Sequence, residues 1–505
     1  MKTTTPRATV ATALLVLAAF THSIQARADD SVGPEQRQAE IRLGYEKIDL
    51  PGGERVGLIG TTYLIDLAKG FSVGPAVYGA ATGQRGGLFT VGAELAWKTQ
   101  LAGPLRFEAG YYVGGGGGGV APVGGGLMLR PHADLLWDFG QFKAGVSYSQ
   151  VRFPSGQINS RQLGLVLSAD TDFSSVPVDH DGRIPSGTST GMGFDRIVAV
   201  GGGYTPGSGV RTLSGRPMGS SLRYVGMRFE RFFDRANSRD EGLRGYWGLE
   251  TSGGAGGGVA GYAEYLGTAG MELASNNSRW RMGVRGALGL GGGGEVDMGG
   301  GTLVKASAYA GVRLAPNLEV LGELGYAKAP DGGFRAPFGG INLAWTIDGP
   351  TRPTPSDTAQ GKPVRTEWVV GAGTYRAARK DGTDRMLHNV VLKANRFLDD
   401  NWYVSAQVHS AYSGQAGGYT AGLFGGGYET SPWHNWQGGL ELVVGAGGGG
   451  GVASGGGALI QPMGYLSYKM SESLSARLGM GHVSSRSGQL SSPVAELLLA
   501  FSFGV

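Results

Sequence analysis

The sequence predicts an all-β protein of antiparallel strands, and three observations support this fold class. Apolar residues recur at every second position, the alternating runs are about 10–14 residues long, and one glycine-rich hairpin occurs three times in the 505 residues. A period of two marks strands with one apolar and one polar face. Ordinary strands average about 5–6 residues, whereas a strand that crosses a bilayer needs about 9–11. The predicted strands therefore have the length of membrane-crossing ones.

Residues 1–28 have the pattern of a secretory signal peptide. Lys2 and Arg7 precede a short apolar run that ends near Phe20, and Ala26-Arg27-Ala28 forms a small-x-small cleavage site. The apolar run is too short to span a bilayer as a helix. We therefore expect export and removal of this segment.

The charge of the remaining chain bears on one class of function, nucleic-acid binding. Without the signal peptide, 41 Lys and Arg stand against 40 Asp and Glu. This near-neutral balance gives no indication of a nucleic-acid partner. The chain also has no cysteine, so an exported fold must be held together by packing and backbone pairing.

The stretches LRFEAGYYV (105–113) and LMLRPHADLLWDF (127–139) illustrate the strand pattern. In the second, Leu127, Leu129 and Leu135 share one face, while Arg130, His132 and Asp134 are placed on the other. Short turns such as AGP (102–104) alternate with longer loops such as FPSGQINS (153–160). This alternation predicts an up-and-down meander, and transmembrane barrels place short turns in the periplasm and longer loops outside.

Glycine-rich hairpins mark three homologous repeats. The stretches GGGGGGVAPVGGGLMLRP, GGGGEVDMGGGTLVKA and GGGGGVASGGGALIQP end at Pro131, Ala306 and Pro462, and similar strands flank each of them. Each repeat divides into eight strands, at residues 39–173, 194–348 and 366–505, with connectors at 174–193 and 349–365 rich in Pro, Ser, Thr and Gly. The prediction is about 24 strands in a transmembrane antiparallel up-and-down β-barrel.

The sequence allows two ways in which these strands could close into barrels. One large barrel is favoured, because duplicated hairpins can extend one sheet, and it would enclose a water-filled lumen. Three separate eight-strand barrels, each filled by side chains, are the alternative. The connectors of 17–20 residues favour the second closure, since they are long for periplasmic turns.

Aromatic residues indicate which end faces the periplasm. Eight of the nine tryptophans fall at the periplasmic level of the predicted strands, and only Trp247 does not. Such a girdle is typical of a membrane interface. The last residues, ELLLAFSFGV, alternate from Leu497 to Val505 and resemble the closing strand of bacterial outer-membrane barrels. The resemblance implies location in the outer membrane, with its lipids as partners.

The function predicted from one large barrel is a pore for passage or export of a large solute or polymer, with secretion partners in the periplasm. A structural or adhesive role follows from three filled barrels. Neither reading implies a cofactor, and no His, Asp and Glu cluster has the spacing of a metal site.

Two groups of candidate site residues follow from the strand pattern. The polar-face residues predicted to face a lumen are Arg130, His132, Asp134 and their counterparts Lys305 and Gln461. The glycine-rich tips, predicted to lie at the outer rim as gates or as points of curvature, are represented by Gly114, Gly119, Gly124, Gly291, Gly299, Gly447 and Gly455.

One short segment suggests an enzymatic alternative. The stretch GHVSSRSGQLSSPVAE (481–496) resembles the catalytic segment of lipid A 3-O-deacylases. The resemblance implies His482 as base, Ser484 as nucleophile and Glu496 as the group that orients the histidine. Ser485 stands where that family has Asn. The counterpart repeats have Gln150 and Tyr326 in place of His482.

Overall fold

The computed structural model describes residues 35–67, 69–175, 194–218, 221–233, 242–275, 279–315, 317–346 and 365–504. The signal peptide and nearly all of both connectors lie outside these residues. The described ranges contain 24 antiparallel strands, the number that the repeats predicted. Within them, no helix has the length and apolar character to cross a membrane.

Barrel 1 contains the first eight strands, and each pairs with the next along the chain. Its strands are β1 (Glu35–Asp49), β2 (Arg55–Asp66), β3 (Phe71–Thr82), β4 (Phe89–Ala102), β5 (Leu105–Gly117), β6 (Met128–Asp138), β7 (Lys143–Arg152) and β8 (Asn159–Ser175).

Barrel 2 repeats the same order. Its strands are β9 (Arg196–Tyr204), β10 (Leu222–Phe232), β11 (Gly242–Gly256), β12 (Ala263–Ala274), β13 (Trp280–Gly292), β14 (Thr302–Ala315), β15 (Leu318–Lys328) and β16 (Arg335–Thr346).

Barrel 3 completes the chain. Its strands are β17 (Arg365–Ala378), β18 (Asp384–Phe397), β19 (Trp402–Ser413), β20 (Thr420–Glu429), β21 (Trp436–Gly448), β22 (Ala458–Lys469), β23 (Leu474–Ser485) and β24 (Ser491–Gly504).

The favoured prediction of one large barrel is wrong, because each repeat closes on itself. Strand β1 pairs with β8, from Glu35↔Ser175 to Glu46↔Gly164; β9 pairs with β16, and β17 with β24. Each first strand thereby uses both of its edges within its own repeat. Among the described strands, no edge is left with which the three sheets could join into one ring.

The two faces of each barrel differ in polarity. Large apolar side chains point outward and are exposed, among them Leu163, Leu324 and Leu497 at 60–73%. Charged side chains such as Glu94 and Glu272 point inward and are fully buried. This inversion is typical of a barrel whose outer surface faces lipid.

Five tryptophans mark one end of the barrels, which we call the tryptophan end. Trp97, Trp137, Trp280 and Trp402 lie near strand ends there and are 38–58% exposed. Trp368 lies at the same end, where it packs against Phe173 of barrel 1. The glycine-rich loops lie at the opposite end, the glycine end.

The three barrels contact one another in a ring through glycine backbones at the glycine end. The end of the fifth strand of each barrel meets the loop between the third and fourth strands of another. These contacts join Gly117 and Gly118 to Gly418, Gly292 and Gly293 to Gly87, and Gly448 and Gly449 to Gly261. At every one of these contacts a side-chain carbon would lie 2.3–2.7 Å from a backbone nitrogen of the other barrel. The chain is therefore an intramolecular trimer with approximate threefold symmetry.

Hydrogen bonds reinforce the ring. The N–H of Gly418 donates to the carbonyl of Gly116 across the contact between barrels 3 and 1, at 3.0 Å. The N–H of Gly86 donates to the carbonyl of Gly299 across the contact between barrels 1 and 2, at 2.9 Å. Below the second contact, Phe89 and Tyr265 pack with ring centroids 5.1 Å apart. The contact between barrels 1 and 2 thus combines a backbone hydrogen bond with apolar packing.

Candidate functional site

The interior of barrel 1 is crossed by a cluster of buried charges around Arg42. Arg42 on β1 donates to Glu108 on β5 at 2.9 Å and to Glu94 on β4 at 3.4 Å. It also pairs with Asp134 on β6, and its Nη2 lies 3.3 Å from Nδ1 of His132. Strands β1 and β5 lie on opposite sides of an eight-strand ring. These contacts therefore bridge the diameter of the barrel.

Arg130 forms a second bridge at the next level of barrel 1. Its Nε and Nη2 each donate to Glu46 at 2.9 Å, and its Nη1 lies 3.2 Å from the hydroxyl of Tyr78. The bond runs from β6 to β1. A bidentate Arg–carboxylate pair in a buried site fixes the geometry of both side chains.

Barrel 2 has a network of buried charges that spans four strands. Arg228 donates to Glu230 at 2.6 Å and to Glu250 at 2.9 Å. Lys305, reaching in from β14, donates to Glu250 at 3.0 Å and to Glu264 at 3.2 Å. Glu250 is shared by Arg228 and Lys305, and Lys305 also reaches Glu264. These contacts join strands β10, β11, β12 and β14 into one array of alternating charge.

Glu272 forms a second junction in barrel 2, nearer the tryptophan end. It accepts from Arg196 at 2.7 Å, Arg244 at 2.6 Å and Arg281 at 2.9 Å. Removing one partner of such a cluster leaves uncompensated buried charge, which is costly.

Barrel 3 is filled in the same way by a different set of residues. Lys393 on β18 lies 3.1 Å from Glu441 and 2.8 Å from Glu496. Arg477 lies 3.1 Å from both Glu367 and Glu429. The same chemical arrangement, cations bridging carboxylates across the interior, thus occurs in all three barrels.

The structure places all five candidate lumen residues inside the barrels. Arg130, His132 and Asp134 are buried in barrel 1, and Lys305 is buried in barrel 2. Gln461 is buried in barrel 3, where its amide nitrogen lies 3.5 Å from Glu496. Among the described residues, they face buried ion pairs that cross the barrel interiors rather than an open lumen.

Sequence reasoning missed the acidic partners of these cations. Glu46, Glu94, Glu250 and Glu441 are 0–4% exposed and hold the networks together. A sequence signal for them was available, since each is an acid on the strand face opposite to the exposed apolar residues. A wide lumen would solvate such residues, so their sequence positions alone do not indicate pairing.

The glycine-rich tips are packed against neighbouring loops. A side-chain carbon at Gly124 would lie 2.1 Å from the carbonyl oxygen of Ser155, and one at Gly299 would lie 2.1 Å from that of Asp331. The counterpart Gly455 would meet the backbone nitrogen of Gly488 at 2.5 Å. In each barrel the loop after the fifth strand therefore rests on the loop after the seventh. Their role as gates stays a prediction.

The remaining tip glycines are also closely surrounded. A side-chain carbon at Gly119 would lie 2.4 Å from the carbonyl oxygen of Arg85, and φ at Gly119 is +57°. The others are Gly114, Gly291 and Gly447, near the ends of the fifth strands. A side-chain carbon at each of them would meet side chains of its own barrel.

The structure does not assemble the three residues of the deacylase-like segment. Glu496 points into barrel 3 and bonds to Lys393 at 2.8 Å. His482 is exposed on the outside, and its Nε2 lies 2.9 Å from the Oγ of Ser491 rather than near Glu496. Alternation explains this separation, because Glu496 and His482 lie on opposite faces of the sheet. In the described residues no cluster of His, Asp or Glu has the arrangement of a metal site.

Comparisons with known proteins found similarity among solved structures only. No family model matches the chain, and no curated protein matches it. Among solved structures, the chain is similar to the copper transporter OprC, at 12% identity over 93% of this chain and 80% of that one, with a TM-score of 0.27. It is also similar to the ferric enterobactin receptor PfeA in complex with BCV-L6, at 10% identity over 94% and 82%, with a TM-score of 0.29. A third is the outer membrane protein opdK from Pseudomonas aeruginosa, at 10% identity over 92% and 98%, with a TM-score of 0.23.

These solved structures belong to the bacterial outer-membrane β-barrel proteins, the broad class that the chain resembles.

Proposed function

We propose that this chain is an integral protein of the bacterial outer membrane, in which three filled barrels stand side by side as one structural platform. The bilayer surrounds the apolar outer surface of the trimer. The glycine end faces the cell exterior and the tryptophan end faces the periplasm. The loops at the glycine end are then the surface available for adhesive contacts.

The observation that carries this proposal is the set of ion pairs that bridges the interior of every barrel. In barrel 1, Arg42 connects β1 to β4, β5 and β6 within hydrogen-bond distance. Eight-strand barrels have an interior just wide enough for side chains to fill. The filled interior favours a structural role over free passage of solute through any one barrel.

The decisive experiment is single-channel recording of the purified protein in a planar bilayer. We expect a silent bilayer from inserted wild-type protein. The double variant Arg42→Ser with Glu94→Ser removes the central bridge of barrel 1 and should admit small, stepwise currents. Insertion is checked separately by flotation with vesicles. Large stepwise conductance of the wild type would overturn the proposal.

Passage or export of a large solute or polymer, with partners in the periplasm, is the alternative function. It requires a route that the paired charges do not block. The same recording tests it, because conductance in the wild type would support transport.

A further inference from the structure

Two exposed cations face each other on the outside of barrel 2. Lys328 ends β15, Arg335 begins β16, and the two residues are direct partners in the antiparallel register. Both are exposed, and in the described ranges neither side chain forms an ion pair or hydrogen bond with another residue. Like charges directly opposite each other on paired strands are destabilising. An anion bound between them would remove this repulsion.

An apolar groove begins immediately below this pair. Its volume is about 850 Å³, and small outward-facing residues on β12, β13 and β14 form its floor: Ala269, Gly286, Ala306 and Ala308. Met271, Leu324 and Tyr326 form its walls and are 48–73% exposed. Tyr326 lies two residues from Lys328 on the same face of β15, which is roughly 7 Å along the strand. The cations and the groove are therefore one continuous surface.

We propose that this surface binds one phosphate-bearing anionic lipid of the outer leaflet. Lys328 and Arg335 hold the phosphate, and an acyl chain lies in the groove. The proposal rests on the proposed location in the outer membrane. Two independent features select this occupant, since a small anion would not use the groove and an uncharged lipid would not use the cations. The groove is open on its outer side, because Val284 in its lining and Leu288 beside it are 58% and 61% exposed.

Barrel 1 offers a matched control site. Arg152 ends β7 as Lys328 ends β15, and its register partner on β8 is the uncharged Asn159. Arg152 is likewise exposed at the glycine end. It carries one positive charge where barrel 2 carries two.

The test is native mass spectrometry of the full-length protein in detergent, with three probes: diphosphorylated lipid A, phosphatidylcholine and inorganic phosphate. We expect one retained lipid A per chain and no retained phosphatidylcholine or phosphate. Lys328→Gln with Arg335→Gln should weaken retention by about tenfold or more for each cation lost. Gly286→Leu should also weaken it without any change of charge, because a side chain at Gly286 meets open space and fills the groove. Arg152→Gln should have no effect.

Equal retention in all variants, or retention of phosphate alone, would overturn the proposed lipid site. Flotation with vesicles is measured on the same samples. Failure to insert would refute the membrane location, while lipid retention in detergent still reports on the site itself. The two failures are therefore distinguishable.

Discussion

The contact between barrels 1 and 2 provides a direct test of the ring. Gly87 has φ of +91°, and a side-chain carbon there would lie 2.3 Å from the backbone nitrogen of Gly293. Ordinary contacts of this kind are 3.4 Å or longer. Gly87→Ala should therefore force the two loops apart by about 1 Å, which is enough to forfeit a quarter to a half of the dispersion energy of each affected contact.

The control is Gly52→Ala. Gly52 has φ of +85° and also lies in a loop of barrel 1, but a side-chain carbon there meets nothing within 4 Å. Both variants bear the cost of a left-handed alanine, about 1–2 kcal/mol. Only Gly87→Ala adds overpacking, about 1–3 kcal/mol. The difference between them isolates the contact between barrels and corresponds to about 5–150-fold weaker association.

The assay uses a specific protease site inserted into residues 176–193. After cleavage, barrel 1 is held to the rest of the protein by contacts alone. Its dissociation on dilution in detergent is followed by analytical ultracentrifugation. Equal dissociation of Gly87→Ala and Gly52→Ala would refute the reasoning, because the glycine would then have no role specific to the contact.

Three further predictions concern single side chains. Glu272→Ala leaves three arginines without their shared acceptor and should cost about 3–5 kcal/mol in thermal or denaturant unfolding, whereas Glu295→Ala, which removes an exposed ion pair, should cost under about 1 kcal/mol. His482→Ala should leave acyl release from lipid A at background, because the structure keeps Glu496 on the opposite face of the sheet; loss of a measurable wild-type activity would contradict this. The backbone N–H groups of Trp402 and Asn401 lower the pKa of Asp399 in a turn at the tryptophan end. Its contribution to stability should therefore be present above the ordinary aspartate pKa and lost as pH falls through the lowered value, and an NMR titration showing an ordinary pKa would contradict this.

The strands and their number could be predicted from the sequence because each strand carries its own signal. The alternation in LRFEAGYYV depends only on which face meets lipid, and the three glycine-rich hairpins identify the repeats directly. Which strands pair to close a barrel is not encoded in any single strand. Closure depends on whether β8 pairs with β1 or with β9, and both pairings leave the same apolar residues facing lipid.

The interior networks could be predicted only in part, for a related reason. Arg130 and Glu46 are 84 residues apart in the chain, and their pairing exists only because the ring closes after eight strands. Alternation placed Arg130 on the polar face, but it could not indicate whether water or Glu46 would be opposite. The long connectors were the one local feature that favoured separate barrels.

The arrangement of the ring explains why glycine recurs at the same place in every repeat. Each barrel contributes two different surfaces, the end of its fifth strand and the loop between its third and fourth strands. Such head-to-tail contacts form a closed ring only when the rotation between units returns to its start. Here it closes after three, since barrel 1 contacts barrel 3, barrel 3 contacts barrel 2, and barrel 2 contacts barrel 1. Because both backbones at each contact must approach closely, both surfaces need glycine. A larger residue on either surface of one repeat would open that contact, and the ring would no longer be closed.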